Sequence, residues 1–325
     1  MTTRRVVVFI GVLAAATFTA AAARTMAHER ETPQGIAGDS SRAGPDSARV
    51  AKLLDALGRT DRLVCDLVAD QLGNFWWDGD RYGLGAFADA TRASRAAKDS
   101  LSGQVRDPRA IVLLSSNLRA DDPCVRRVAA KMLGHSSAKT GEIARLLDDP
   151  APRVREAAAY ALGNGERNEA RAVLEKHLGG GDGALGAMSA WALGEIHDSA
   201  SAPALTRALG AASAEVRWSA AGALGELNDL RKAPDALVRA AGSTDARLQK
   251  LAARALAEIH DPATVDALIG LLANADREVR LHAVEALGEI RSSKASPGLV
   301  RALKDPDAKI RKAAAEALGE LKDSR

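Results

Sequence analysis

Aromatic side chains are scarce here, at 3% of 325 residues, and there are only two cysteines. A core built on large rings is therefore excluded, and burial must come from many small aliphatic contacts. Two cysteines cannot make a disulfide-dense scaffold or a four-cysteine zinc site. Long β-branched runs are almost absent after the first ten residues, which argues against sheet. Neither sign of charge dominates, since the formal net charge is +3. Arg4 and Arg5 lie in a segment expected to be removed, which leaves about +1 and no electrostatic case for nucleic acid. No phosphate loop, GxSxG or CxxC is present, and "HERET" (28–32) misses the zinc-protease HExxH at its last residue. What is abundant is Ala, Leu, Arg, Glu and Gly, a composition that favours helix throughout.

The chain opens with the basic "MTTRR" and continues into the uncharged Val6–Ala23, which ends in small residues. This pattern predicts a signal peptide over 1–23 and a periplasmic or secreted protein. An uncleaved membrane anchor is the alternative, because the apolar run approaches spanning length. Residues 24–47 carry Gly, Pro, Ser and charge without an apolar period and read as a disordered linker.

From residue 48 to residue 325 one phrase returns: "WALGEI", "GALGEL", "EALGEI", "EALGEL". The Leu of each "LG" ("LA" once) serves as an anchor: Leu72, Leu133, Leu162, Leu193, Leu224, Leu256, Leu287 and Leu318. After a first gap of 61 residues the spacing is 29 to 32. Eight residues before each anchor stands a branched aliphatic, and four before it a small residue in seven of eight copies. These offsets draw one stripe on a helix, helix B. Nineteen and fifteen residues before the anchor an aliphatic pair, such as Leu205 and Leu209, marks the buried face of a preceding helix A. Pro203, Pro234, Pro262 and Pro297 fall near helix-A starts, where a missing N–H costs nothing.

Eleven before the anchor, Asp61, Asp122, Asp182, Ser213, Asp245, Asp276 and Asp307 are placed to cap helix B, with Ala151 as the exception. Four residues later runs an Arg column of Arg126, Arg155, Arg217, Arg280 and Arg311. The two columns are expected to pair within and between repeats.

The text "DREVRLHAVEALGEI" and "DAKIRKAAAEALGEL" resembles the HEAT-repeat family, in particular the short variety first associated with phycobilisome lyases. The resemblance implies an all-α fold: an α-solenoid, or HEAT-like superhelix, of about eight stacked helix pairs over 48–325. Each pair has too little private core to stand alone and leans on its neighbours. Deoxyhypusine hydroxylases, which are HEAT-like, hold iron through His-Glu pairs. The only His-Glu here is His28-Glu29, in the linker. His197 and His260 occupy equivalent turns two repeats apart and read as solvated turn residues. No catalytic residue, metal ligand or cofactor is assigned.

The double-length first gap holds an insertion, 74–106, after the first repeat. It carries five aromatics, among them Trp76, Trp77 and Tyr82, which fit either a cap over the open end of the core or a secondary binding site. Cys65 and Cys124 lie near the starts of successive B helices, and both a disulfide and two buried thiols remain open.

Positions −6 and −2 on helix B lie off the buried stripe and vary in chemistry. In the family resembled, helix B lines the concave face. Tyr160, Trp191 and Trp218 would then form an aromatic patch on three consecutive repeats, flanked by Arg127, Lys131, Lys250 and Arg254. Such a patch with a charged rim has the composition of an interaction hot spot. The competing reading is repair packing, with Trp191 covering Gly222 next door. The function expected is a non-catalytic scaffold that binds another protein or peptide. The alternative is an enzyme or enzyme-accessory protein of lyase-like type.

Overall fold

The computed structural model describes residues 44–58 and 104–323. Every regular element among them is helical, in fifteen α-helices, with short turns and 3₁₀ segments between those of 108–323. The chain divides after Lys139 into two units.

The first unit contains α1 (Ser47–Leu57), α2 (Pro108–Asn117) and α3 (Pro123–Gly134). Asp46 caps α1 by accepting from the Arg49 N–H, so the helix starts at Ser47, inside the expected linker boundary. Asp107 caps α2 through the Arg109 N–H and also accepts from the Ser47 N–H at 2.8 Å, which ties the first turns of α1 and α2 together. The end of the expected insertion is held as well: Val105 is buried, and its carbonyl accepts from Ser137 N–H at 2.8 Å. Cys124, in the first turn of α3, is disulfide-bonded, which decides between the two readings of the cysteines. The sequence holds only one other cysteine, Cys65. Cys65, the first-repeat helix B and most of the aromatic insertion lie outside the described residues.

The second unit alternates short A helices and longer B helices. The A helices are α4 (Thr140–Ala144), α6 (Arg171–His177), α8 (Ala202–Ala208), α10 (Asp235–Ala241), α12 (Val265–Leu271) and α14 (Ser296–Ala302). The B helices are α5 (Pro152–Asn164), α7 (Gly183–Glu195), α9 (Ala214–Glu226), α11 (Ala246–Ile259), α13 (Arg277–Ile290) and α15 (Ala308–Asp323). Each B helix of this unit packs on its own A helix, and successive B helices from α5 to α15 pack on one another, the arrangement of an α-solenoid. The expected stripe is buried: Val154, Ala158 and Leu162 are fully covered, as are Val279, Ala283 and Leu287. Full burial of each such aliphatic side chain stabilises by about 1.5–3 kcal/mol. Pro203 and Pro297 sit in the first turns of α8 and α14, Pro262 opens a 3₁₀ turn, and Pro234 is the N-cap of α10.

The glycine of four "LG" pairs, Gly163, Gly194, Gly225 and Gly288, has a role that its position alone does not show. A Cβ built on Gly163, Gly194 or Gly225 would lie 2.6, 2.9 and 2.9 Å from the Cα of Ala192, Ala223 and Ala255 respectively, and one on Gly288 would lie 2.9 Å from the Ala317 Cβ. Each glycine thus faces the alanine that precedes the anchor of the following repeat. Backbones approach at these seams to a distance that any side chain would prevent. The repeated "ALG" is one joint written from both sides.

The capping column behaves as expected. Asp122, Asp182, Ser213, Asp245, Asp276 and Asp307 each accept from N–H groups in the first turn of helix B, and Ala151 makes no side-chain cap. The Arg column differs from expectation. In all five copies Nη1 donates to two main-chain carbonyls five and six residues earlier, as Arg217 does to Ala211 and Ala212 at 2.8 Å. The arginine therefore clasps the turn between its own two helices. Only Arg155 also pairs with the capping residue of the next repeat, Asp182. Arg280 pairs instead with Asp305, two residues before the cap, and Arg277 takes the cap Asp307.

Candidate partner surface on the B helices

Tyr160 and Trp191 occupy the same position on consecutive helices α5 and α7. Their rings stack with centroids 5.1 Å apart and planes 10° from parallel. Both are half-buried, so the stack is a partly exposed slab spanning two repeats. Trp191 leans backward. The edge of its six-membered ring stands 3.1 Å from where a Gly163 Cβ would be, whereas nothing lies within 4 Å of the equivalent point at Gly222. Packing of Trp191 over Gly222 is thus ruled out by the geometry; the glycine it covers is the one behind it.

Trp218 does not join the slab. Its indole N–H donates to Asp245 Oδ2 at 2.8 Å, and the Arg247 guanidinium sits 4.4 Å above its ring. The N–H of Leu248, first, and the Trp218 indole hold the Asp245 carboxyl below its ordinary value. Trp218 turns toward the next repeat and takes part in its N-cap, the place filled by Arg155 at Asp182. Trp218 thus stands apart from the two stacked rings, because the side chain at −6 is long enough to reach the adjoining cap.

The basic residues also divide. Lys250 pairs with Glu278, and Arg254 donates to Glu226 at 3.2 Å. Both remain substantially exposed, at 44% and 53% of the side chain. Such pairs contribute about 0–1 kcal/mol each and can be exchanged for a partner's charges. Arg127 is half-buried and belongs to the first unit. Lys131, expected on the rim, is 1% exposed. The reason is local: residues 128–134 of α3 are all buried, so that stretch is covered on every side and its −2 position is interior. Trp76, Trp77 and Tyr82 lie outside the described residues.

One turn beyond the slab runs an acidic file, Glu195, Glu226, Glu258, Glu289 and Glu320, at the C-terminal ends of the B helices. Left-handed residues end four of these helices: Glu166, His197, His260 and Arg291, with φ of 49°, 57°, 53° and 53°. Several reach forward to the next repeat. His197 Nδ1 meets the Glu226 carbonyl at 2.6 Å, His260 Nε2 meets Glu289 at 3.4 Å, and Arg291 meets Glu320 at 3.3 Å. The two turn histidines are therefore inter-repeat fasteners rather than merely solvated. Glu195 makes no ion pair among the described residues. Burial pushes its carboxyl up, His197 opposes that rise, and Glu226 and Glu166 add to it. A shallow cavity of about 290 Å³ lies at this edge, lined by His197, Glu226, Asn228, Asp229, Arg231 and Glu258 among others. Among the described residues no group of three His, Cys, Asp or Glu side chains could hold a metal ion, and no helix is long and apolar enough to cross a membrane.

Comparison with known proteins bears on the repeat. A sequence model described as HEAT repeats matches residues 111–185, 143–213, 180–248, 203–280 and 270–325. No curated protein matches the chain. Among solved structures, an engineered protein is 25% identical, over 66% of this chain and 96% of its own, with a TM-score of 0.39. An archaeal HEAT-like repeats protein from Thermococcus onnurineus is 14% identical, over 66% of this chain and 99% of its own, with a TM-score of 0.47. Human deoxyhypusine hydroxylase is 19% identical, over 85% of this chain and 98% of its own, with a TM-score of 0.34. The weight falls on the recurring family match, on the capped and clasped helix pairs, and on the glycine–alanine joints between them: the chain belongs to the HEAT-repeat family.

Proposed function

We propose that this HEAT-repeat scaffold is an exported, non-catalytic protein that binds another protein or peptide on its B-helix surface, centred on Tyr160 and Trp191. The observation that carries the reading is the stacked, half-buried pair on two consecutive repeats. Large rings held rigidly at the surface bury much area at small entropic cost, which is why they anchor interfaces. Lys250 and Arg254 stand on α11, two helices further on, and supply a charged margin. Export is supported by the basic, then apolar, opening of the sequence and by the disulfide at Cys124, since disulfides persist in oxidising compartments.

The test is cross-linking of the full-length protein in the envelope fraction, with mass spectrometry of the adducts. Trp191→Ala and Tyr160→Ala should each lose the adducts while keeping helical circular dichroism. Trp218→Phe should keep them. Adducts that persist in both alanine variants would overturn the reading. Recovery of the protein from the cytosol with its first residues intact would overturn export.

A further inference from the structure

The position of α9 equivalent to Tyr160 and Trp191 is Gly222, where a Cβ would have nothing within 4 Å. The flanking side chains lean away from it. Trp191 leans back onto Tyr160 and Gly163, while Trp218, one turn earlier on α9, leans forward to Asp245. Gly222 thus leaves a slot of open space at this position of α9, in the repeat that follows Trp191. One helical turn further on stand two carboxylates, Glu195 on α7 and Glu226 on α9. Glu226 already accepts from Arg254. Glu195 is half-buried and makes no ion pair among the described residues, with His197 as its nearest basic influence.

We propose that this slot receives an arginine side chain of the protein partner, its guanidinium stacked on Trp191 over Gly222 and donating to Glu195. The inference rests on the proposed B-helix surface and goes further, naming the group recognised there. Three features select arginine. A flat cation lies well on an indole face. The donor fork of a guanidinium suits a carboxylate that makes no ion pair. The surroundings of Glu195 are acidic, with Glu166 and Glu226 acting on it against His197 alone, and Arg254 is already engaged by Glu226. A phenyl ring would fill the slot and leave Glu195 without a counter-charge. A lysine would supply the charge without the flat face.

The probe is a set of peptides Gly-Ser-X-Ser-Gly with X as Arg, Lys, Phe or Ala, added to the ¹⁵N-labelled full-length chain while the Trp191 indole N–H resonance is followed. The Arg peptide should shift it saturably, with the Lys peptide about fivefold weaker or more and the Phe and Ala peptides silent. Gly222→Leu, which fills open space, should abolish the shift. Glu195→Gln, which leaves the slot's shape intact, should weaken binding about tenfold. Equal response to all four peptides, or an Arg response unchanged in both variants, would overturn the proposal. In the cross-linking assay, adducts lost in Trp191→Ala but kept in Gly222→Leu would overturn the slot and leave the wider surface standing. Adducts kept in both would overturn both readings.

Discussion

Gly194 and Ala223 meet across a repeat boundary so closely that a Cβ on the glycine would stand 2.9 Å from the alanine Cα. Helix propensity alone favours Ala over Gly by up to about 1 kcal/mol, and by less at Gly194, in the last turn of α7. At this joint packing wins, because the obstacle is backbone and must be pushed aside. Gly194→Ala should therefore destabilise by about 1–3 kcal/mol. Gly222→Ala, with nothing near its Cβ, should stabilise by about 0.5–1 kcal/mol. Urea unfolding of the two variants beside the parent chain checks the opposite signs.

Ser189 stands where most B helices carry alanine. Its hydroxyl is fully buried and has no hydrogen-bond partner. Ser189→Ala removes an unsatisfied group from the interior and should stabilise by about 1 kcal/mol. A fall in urea midpoint would show that the hydroxyl is held by something in solution.

Arg280 holds Asp305 with two nitrogens, at 2.8 and 3.2 Å. This pairing keeps the Asp305 carboxyl below its ordinary value near 3.8, and Arg155 and Arg277 do the same for Asp182 and Asp307. On acidification the unfolded chain takes up these protons first. Their contribution is complete above the ordinary value and is lost as pH falls through the lowered one. Stability measured by urea unfolding should fall below about pH 4, and Asp305→Asn should flatten that fall while lowering stability at neutral pH.

The disulfide at Cys124 constrains the unfolded chain, and reducing it should cost about 2–4 kcal/mol. Non-reducing mass spectrometry of the intact chain should find no alkylatable thiol, and Cys124→Ser should lower the melting temperature in non-reducing buffer only.

The helix pairs, the caps and the buried stripe were legible in the sequence because each is a local pattern repeated at fixed offsets. Asp245 before Arg247 and Leu248 reads as a cap from spacing alone. What was not legible depends on direction rather than position. An offset of −6 says which way Trp218 leaves its helix, but its long side chain then turns to Asp245 in the next repeat. Lys131 shares its offset with Tyr160, yet the surrounding chain encloses it. The glycine–alanine joint was visible as text, but only contact between successive helices reveals that one half answers the other. Glu195 became distinctive only once Glu226, Glu289 and Glu320 were seen to be paired and its own carboxyl, unlike that of the exposed members of the file, to be raised by burial.

Because the "ALG" joint is identical in form at Gly163, Gly194, Gly225 and Gly288, most modules here are interchangeable parts. A stretch of DNA encoding one of them can be duplicated or dropped by unequal recombination, and the new neighbours meet through a fitting that already exists. The exception is Ala257, which stands where its counterparts have glycine. Its methyl group makes that junction one of a kind, so lineages that lengthen or shorten this array should splice it elsewhere.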